Sequence, residues 1–429
     1  MVSFRDSFIA SEQNCVEFAG IVETTPFPRR GEKEGREGEE IGRKMRSGII
    51  VSAAALAFFS IFLTLNPDIG PPRSSSTGAA AAAGTTFGGR ARDVLHGAEL
   101  LHLNGTTGPE SLAFDAEGRG PYTGVADGRI LRWGGAARGW EDFATVSPYW
   151  NRERCDLKGE VMGDEEVCGR PLGLQFHEAT GDLYVADAYF GLLVVGEGGG
   201  AATQLAVETD GEPFRFTNHL DIDQVNHTIY FTDSSSRFSR RQFAMLVASG
   251  DNSGRLMSYD PKTKEVKVLL KGLKFANGVA LSRDRSFILV TESSGCRVTR
   301  LWLKGPNAGK TDVFAHLPGY PDNVKRNSAG EFWVALHGRK GPLSVVLQYD
   351  SWLKRAILKL PLNFQRLHKM FMSKRSQAMA IKLSEDGEVL DVLEDREGKS
   401  LRFISEVDEF NGDLWVGSVI MPYAGLYKL

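Results

Sequence analysis

The sequence lacks two patterns that would narrow its function at once: an excess of positive charge and closely spaced pairs of cysteines. Its 429 residues carry 51 Lys and Arg against 54 Asp and Glu, a formal net charge of −3. This balance provides no basic field for a phosphate backbone, and no motif of a nucleic-acid-binding module is present, so we expect no nucleic-acid partner. The four cysteines do not form two pairs at metal-binding spacing, which argues against a zinc site.

Long apolar runs are also scarce, and the exception lies near the N-terminus. Residues 48–65 hold no charged side chain and are about long enough to cross a bilayer as a helix. The segment is predicted to be either a signal anchor or a signal peptide, because a buried helix would have no apolar neighbours here. Arg43, Lys44 and Arg46 precede it and Asp68 follows it, so the positive-inside rule places the following domain in the lumen.

The rest of the N-terminal region is predicted to be unstructured. Residues 1–47 are charged and aperiodic, which is typical of a disordered tail, and residues 66–94 form an Ala-rich flexible linker. Met45 directly precedes the apolar run, so translation starts either at Met1 or at Met45. We expect a protein of the secretory pathway, held at the endoplasmic reticulum membrane by its N-terminal segment, or vacuolar or secreted.

Two further features fit a lumenal protein. Asn104 and Asn226 each begin an Asn-Xaa-Thr acceptor sequence for N-glycosylation, and Asn226 lies at a predicted hairpin turn. Cys155 and Cys168 bracket a polar loop that a disulfide would close in an oxidising compartment. Cys296 is expected to be unpaired.

Six stretches of the chain share one pattern: an apolar-alternating strand, a turn rich in Gly and charge, and a second, more apolar strand. They begin at Glu110, Leu172, Asn218, Asn277, Asn323 and Ser405. One such unit cannot bury its apolar face alone, so the units are predicted to pack radially. The 48 glycines suit the tight turns of an all-β protein. The predicted fold is therefore a six-bladed β-propeller over residues 95–429.

Two segments outside the repeats have predicted places in this propeller. Residues 98–104 are expected to pair beside the C-terminal blade and close the ring, because an open ring would leave an unpaired strand edge. Residues 351–375, between the fifth and sixth repeats, have an amphipathic helical pattern interrupted at Pro361. This insertion is predicted to cover one propeller face, or alternatively to lie with its basic side against a membrane.

The first residue of each repeat begins an innermost strand and is expected near the central axis. Oxygen donors from four blades occupy or adjoin these positions: Glu110, Asn218, Asn277, Asp322 and Asn323. Calcium takes about six to eight oxygen ligands and tolerates irregular geometry. We therefore predict that these five residues bind Ca²⁺, although Asn277 followed by Gly would also suit an ordinary turn.

Seven motifs between residues 95 and 429 carry a family resemblance: GPES, CGRPLGL, LYVADAYFGL, FTNHLDID, FANGVALS, LPGYPDNV and GDLWVGS. Together they resemble the strictosidine synthase-like proteins of plants, which are similar to the animal adipocyte plasma membrane-associated protein and, more distantly, to paraoxonases and gluconolactonases. The resemblance implies a six-bladed propeller. In the calcium-dependent hydrolases among these relatives, a Glu, several Asn and an Asp of the same motifs hold the metal. The same role is implied for Glu110, Asn218, Asn277, Asp322 and Asn323.

Two positions depart from the family pattern. The resemblance places the catalytic Glu of strictosidine synthase at Ser405, and a hydroxyl cannot exchange protons with an amine at neutral pH as a carboxylate can. Glu406 is adjacent, but one step along a strand points a side chain to the opposite face. His219 stands where the relatives usually have Asp. It is predicted either to act as a base beside the metal or to pack outward from its strand.

These observations favour a calcium-dependent hydrolase of a small-molecule ester or lactone, similar to an arylesterase or lactonase. The metal would polarise the carbonyl group, and Asp322 or His219 would activate water. One alternative is an enzyme of alkaloid biosynthesis that condenses an amine with an aldehyde in a Pictet–Spengler reaction. Another is a non-catalytic binding propeller in which the metal only holds the blades together.

Overall fold

The computed structural model describes residues 91–157, 163–340 and 377–429. The predicted tail, the apolar run, the linker as far as residue 90 and the helical insertion at residues 351–375 lie outside these ranges. Within them, no helix is both long enough and apolar enough to span a membrane.

Two strands precede the first blade and complete blades elsewhere in the ring. They are β1 (Ala91–Asp93) and β2 (Glu99–His102), separated by a 3-10 turn at Leu95–Gly97. The linker predicted for residues 66–94 therefore overlaps β1, which pairs with a strand of the fifth blade.

The first two blades follow. The first contains β3 (Leu112–Ala113), β4 (Tyr122–Gly124), β5 (Arg129–Trp133) and β6 (Trp140–Thr145). Two short helices, α1 (Arg152–Cys155) and α2 (Glu165–Cys168), lead to the second. The second blade contains β7 (Pro171–Phe176), β8 (Leu183–Asp187), β9 (Gly191–Val195) and β11 (Thr203–Ala206), which pairs with β9. Between β9 and β11, the short strand β10 (Gly200–Ala201) pairs with β6 of the first blade.

The third and fourth blades are regular four-stranded sheets. A small hairpin, β12 (Glu208–Thr209) and β13 (Glu212–Pro213), precedes them. The third blade comprises β14 (Thr217–Asp223), β15 (Thr228–Asp233), β16 (Gly254–Asp260) and β17 (Glu265–Leu273), with a 3-10 turn at Arg240–Gln242 and helix α3 (Phe243–Ser249) between β15 and β16. The fourth comprises β18 (Ala276–Leu281), β19 (Phe287–Glu292), β20 (Arg297–Trp302) and β21 (Thr311–His316).

The last two blades include the early strands and close the ring. The fifth has β22 (Gly319–Arg326), β23 (Phe332–Arg339), β24 (Ala378–Leu383) and β25 (Val389–Asp395), with β1 beside β25. The sixth has β26 (Ile404–Phe410), β27 (Asp413–Ser418) and β28 (Tyr423–Lys428), with β2 antiparallel to β28. The six-bladed propeller is thus confirmed, and so is the predicted closure of the ring by an early strand.

The apolar core lies between neighbouring blades. Between the fourth and fifth blades, for example, Phe287 and Leu289 of β19 pack with Phe332 and Val334 of β23. Corresponding clusters join the first blade to the second, the second to the third, the third to the fourth, and the fifth to the sixth. Each repeat therefore buries its apolar surface only against its neighbours, as expected for a radial array.

The innermost strands are irregular where they begin. Register shifts interrupt pairing between Thr217 and Leu220 in β14, between Ala276 and Val279 in β18, and between Pro321 and Val324 in β22. Such bulges redirect side chains, so consecutive residues need not alternate strictly between the two faces of the sheet.

Gly278 lies inside β18 and does not form a turn. A Cβ atom added there would lie 2.6 Å from the Cα atom of Asn323 on the next blade. The glycine therefore permits two innermost strands to approach closely at the axis. The turn expected as an alternative for Asn277 and Gly278 is not found.

Candidate active site

Five polar side chains lie at or just before the start of innermost strands, and we call them the oxygen ring: Glu110, Asn218, Asn277, Asp322 and Asn323. All five are buried. Asn277 links two blades, because its Nδ2 donates to Asp322 Oδ1 at 2.6 Å. The bulges in β14, β18 and β22 contain the four ring residues of the third, fourth and fifth blades.

Most oxygens of the ring have no hydrogen-bond donor within the part of the chain that the structure describes. The unpartnered atoms are Glu110 Oε2, Asn218 Oδ1, Asn277 Oδ1 and Asn323 Oδ1, and Asn323 Nδ2 is unpartnered as well. A buried polar atom without a partner costs about 1–3 kcal/mol. Four such oxygens from four blades are therefore a pattern that a bound cation would explain.

A fixed positive charge already lies beside the ring. Arg170 is fully buried, and its Nη2 lies 3.7 Å from Glu110 Oε2 while donating to the carbonyl oxygen of Gly108 at 3.0 Å. Burial raises the pKa of Glu110 to about 8; Arg170 opposes this shift and Asp322 adds to it. Without a cation, the Glu110 carboxyl therefore holds its proton more strongly than an exposed carboxyl does.

The chemistry of the ring fits a hard cation. Two carboxylates and three amides offer oxygen ligands of the kind that calcium accepts. In residues 91–157, 163–340 and 377–429, no three side chains of His, Cys, Asp and Glu come together as a metal-binding group. The amide oxygens of Asn218, Asn277 and Asn323 would supply the further ligands that a calcium ion needs.

A second polar group joins residues of four blades, and we call it the Glu406 cluster: Glu406, Ser111, His219 and Lys325. The fully buried Glu406 carboxylate accepts from the backbone N–H of Leu112 at 2.6 Å, from Ser111 Oγ at 3.0 Å and from His219 Nε2 at 2.9 Å. Lys325 Nζ lies 3.7 Å from it. Burial would raise the pKa of Glu406, but Lys325, His219 and the Leu112 N–H outweigh it, and the net shift is downward. Glu406 is therefore a stabilised carboxylate.

His219 belongs to this cluster, and the prediction that it packs outward from its strand was wrong. Its Nδ1 accepts the backbone N–H of Val279 at 3.1 Å, so the proton of the neutral ring resides on Nε2 and is donated to Glu406. The side chain is fully buried and points toward the axis rather than outward from the strand. With both nitrogens occupied and no exposure, His219 cannot serve as a base for substrate or water.

Ser405 and Glu406 lie side by side but have different partners. The Ser405 hydroxyl donates to the carbonyl oxygen of Glu110 at 2.7 Å and is buried. Glu406 is held by the cluster described above, so its carboxylate does not replace the one missing at position 405. A register shift between Ile404 and Glu406 accompanies this arrangement.

A buried network lies between the second and third blades on the side of the oxygen ring. Glu165 of α2 accepts from Arg240 Nη1 at 2.9 Å and from the Tyr189 hydroxyl at 2.9 Å. Cys168, at the end of the same helix, forms a disulfide with Cys155, with 5.6 Å between their Cα atoms. The disulfide therefore fixes the helix that carries Glu165. The sequence analysis did not single out Glu165, Arg240 or Tyr189.

His337 is another residue that the sequence analysis missed. It lies on β23, its Nδ1 is 3.6 Å from Asp322 Oδ2, and its side chain is 24% exposed. The Phe403 ring lies 5.4 Å away, centroid to centroid. The repeats give no signal for it: three of them end their second strand on an acidic residue (Asp187, Asp233 and Glu292), and the residue of the fifth blade paired at that place is Leu336, not His337.

The remaining predicted positions are separate from this site. Asn104 and Asn226 are exposed, and Asn226 Nδ2 donates to Asp223 Oδ2 at 2.7 Å. Leu172 packs with Phe216 and Leu246 in an apolar cluster, so this blade contributes no polar group to the ring from that position. Cys296 is buried and unpaired within the described ranges.

Comparisons with known proteins agree with the fold and identify the family. The family model for strictosidine synthase matches residues 218–306, and the model for the N-terminal part of strictosidine synthase-like proteins matches residues 93–133. A solved gluconolactonase from Xanthomonas campestris shares the fold, with a TM-score of 0.50 at 15% identity, covering 82% of this chain and 93% of that one.

Two curated relatives from Arabidopsis thaliana are much more similar in sequence. Protein STRICTOSIDINE SYNTHASE-LIKE 10 is 55% identical over 83% of this chain and 94% of its own length. Protein STRICTOSIDINE SYNTHASE-LIKE 3 is 47% identical over 79% of this chain and 86% of its own length. The chain therefore belongs to the strictosidine synthase-like family.

Proposed function

We propose that the protein hydrolyses a small-molecule ester or lactone with Ca²⁺ bound at the oxygen ring. One observation carries this proposal. Four buried oxygens from four different blades, on Glu110, Asn218, Asn277 and Asn323, have no hydrogen-bond donors from the described residues, which supports a shared cation. A bound calcium ion would supply Lewis-acid polarisation of the substrate carbonyl.

The general base in this proposal is His337. It is partly exposed, unlike His219, and its Nε2 has no hydrogen-bond partner among the residues described. Asp322 Oδ2 lies 3.6 Å from Nδ1 and would hold the imidazole and stabilise its charged form after it takes a proton from water. Asp322, which is bonded to Asn277, thus acts on the imidazole and not directly on water.

Amine–aldehyde condensation receives less support from the site. It needs a carboxylate that exchanges a proton with the amine, and the Ser405 hydroxyl at that position is buried and bonded to the backbone. Glu406 is fully buried and held by several donors, so it cannot take over that role.

Purified full-length protein tests the reaction. Phenyl acetate and a panel of aliphatic lactones should be hydrolysed in calcium buffer, activity should disappear in EGTA, and calcium should restore it. Turnover that persists in EGTA would contradict a calcium-dependent reaction. Calcium binding without turnover of any ester or lactone would instead favour the binding propeller.

A substitution tests the base. His337→Gln should lower kcat by about 10²–10⁴-fold, with calcium binding unchanged. His96→Gln is the matched control, because His96 is also paired with a carboxylate, Asp93, at 3.8 Å, but on the surface. Equal activity of the two variants would show that His337 is not the base.

A further inference from the structure

A cavity lined by connections of the second and third blades has the charge of a site for an organic anion. Its volume is about 400 Å³, within the usual range for small-molecule sites. Its walls include three arginines, Arg215, Arg237 and Arg241, and one acidic residue, Glu166. We infer that this cavity binds an organic monoanion, and that its arginines hold a carboxylate on the substrate. The identification of the bound molecule as substrate rests on the proposed function; the binding itself does not.

The cavity lies on the same face of the propeller as the oxygen ring. Its lining comes from α2 and from the connections between β8 and β9, between β13 and β14, and between β15 and β16. These connections lie at the end of the blades where the innermost strands begin, which is where the ring residues are found. Tyr189 lines the cavity and bonds Glu165, and Glu165 pairs with Arg240, which interacts electrostatically with Glu110.

The three arginines differ in the hydrogen-bond and ion-pair partners that the protein already provides for their guanidinium groups. Arg237 pairs with buried Asp251 at 3.4 Å, and Arg241 donates to the carbonyl oxygen of Gly163 at 2.7 Å. Arg215 is exposed and has no ion pair within the described part of the chain. A guanidinium recognises a carboxylate through two parallel hydrogen bonds, so Arg215 is the residue best placed to gain from binding one.

The other residues that line the cavity indicate which chemical groups the ligand has besides its carboxylate. Phe214 and Tyr189 provide apolar surface, which suits an aromatic or aliphatic body attached to the anionic group. Glu166 would repel a dianion more strongly than a monoanion. The chemistry therefore favours a carboxylate over a phosphate monoester.

Calorimetric titration of the full-length protein tests this inference with 4-phenylbutyrate and its neutral amide at fixed ionic strength. Both titrations are done in EGTA, so that the carboxylate cannot bind through calcium. We expect the acid to bind at least about tenfold more tightly than the amide, as a charge-assisted hydrogen bond would give. Arg215→Gln should remove that difference, and Arg237→Gln should reduce it.

Arg283→Gln is the matched control, because Arg283 is exposed on the hairpin between β18 and β19 at the opposite end of the blades. Equal affinity for acid and amide, loss of binding in EGTA, or the same loss in Arg283→Gln as in Arg215→Gln would overturn the inference. Tighter binding of phenyl phosphate than of the carboxylate would also overturn it. Binding of the acid without any ester hydrolysis would retain the site and count only against the proposed reaction.

Discussion

The oxygen ring and the Glu406 cluster are two buried polar groups in the same propeller, and they differ in how well their atoms are satisfied. In the cluster, the Glu406 carboxylate has donors from Ser111, Leu112 and His219, and Lys325 balances its charge. In the ring, four oxygens lack a donor among the described residues. The cluster contains donors of its own in Ser111, His219 and Lys325, whereas the ring consists of two carboxylates and three amides.

The difference in hydrogen bonding assigns a structural role to the cluster and a ligand-binding role to the ring. A buried network whose members are all paired stabilises one arrangement of the blades, whereas a buried group with unpaired oxygens lowers stability until a ligand binds. We therefore expect substitutions in the cluster to change folding stability, and substitutions in the ring to change the response to calcium. The following predictions test that separation, from the largest expected effect to the smallest.

Glu406→Ala should lower the free energy of unfolding by about 3–5 kcal/mol, because it leaves Lys325 and His219 without their buried partner. Urea unfolding of the variant and the parent protein measures this change. Glu388→Ala, at an exposed position, should stay within about 0.5 kcal/mol of the parent. If Glu406→Ala lowered the free energy of unfolding no more than the control does, the cluster would not hold the blades together.

Asn323→Ala should remove the stabilisation by calcium and leave the calcium-free protein almost unchanged, because neither polar atom of this side chain has a partner to lose. For the parent protein, calcium at about a hundred times its dissociation constant should add about 2.7 kcal/mol. Thermal unfolding with calcium and with EGTA measures both quantities. Asn307→Ala, on an exposed hairpin, serves as the control and should respond to calcium like the parent. If Asn323→Ala responded to calcium as strongly as the parent, Asn323 would be excluded as a calcium ligand.

The stability difference between the parent and Glu406→Gln should depend on pH. The folded-state pKa of Glu406 is lowered, so its contribution is fully present above the unfolded value of about 4.3 and is lost as pH falls through the folded value. The difference should therefore be constant from about pH 5 to 7 and shrink below about pH 4. Unfolding experiments across this pH range measure the stability difference. A difference that grows on acidification would contradict a lowered pKa for Glu406 in the folded state.

Tyr189→Phe should have the smallest effect, about 1 kcal/mol, because Glu165 keeps its contacts with Arg240 when the Tyr189 hydroxyl is removed. Tyr149→Phe is the matched control, since Tyr149 is 71% exposed and its hydroxyl has no described partner. Chemical denaturation of both variants provides the comparison. If the two substitutions had the same effect, the bond from Tyr189 to Glu165 would contribute nothing.

Sequence reasoning succeeded where a signal repeats along the chain. The pattern of two strands and a turn recurs six times and predicted the six blades, and residues 98–104 were assigned to the closing strand that is now β2. Innermost strands also begin at or beside the predicted ring residues, but the register of pairing places Asp322, not Asn323, at the position of Asn218 and Asn277. Repetition makes such predictions robust, because each unit must bury the same face against equivalent neighbours.

Sequence reasoning failed where neighbouring residues depart from regular alternation. His219 follows Asn218 directly, and strict alternation would not bring both side chains to the axis, but the register shift between Thr217 and Leu220 allows it. His337 was missed because its pairing with Asp322 joins two strands of one blade at their ends, which no local spacing reveals.

The sequence by itself determined the number of blades, the order in which they follow and the set of oxygen-bearing residues at the start of the innermost strands. Hydrophobic periodicity is a local property that each repeat shows without help from the others. Only the tertiary structure decided which polar atoms are satisfied and which remain unpaired. That outcome depends on donors from other blades, such as Ser111 and His219 around Glu406, whose approach is set by bulges and packing rather than by distance along the chain.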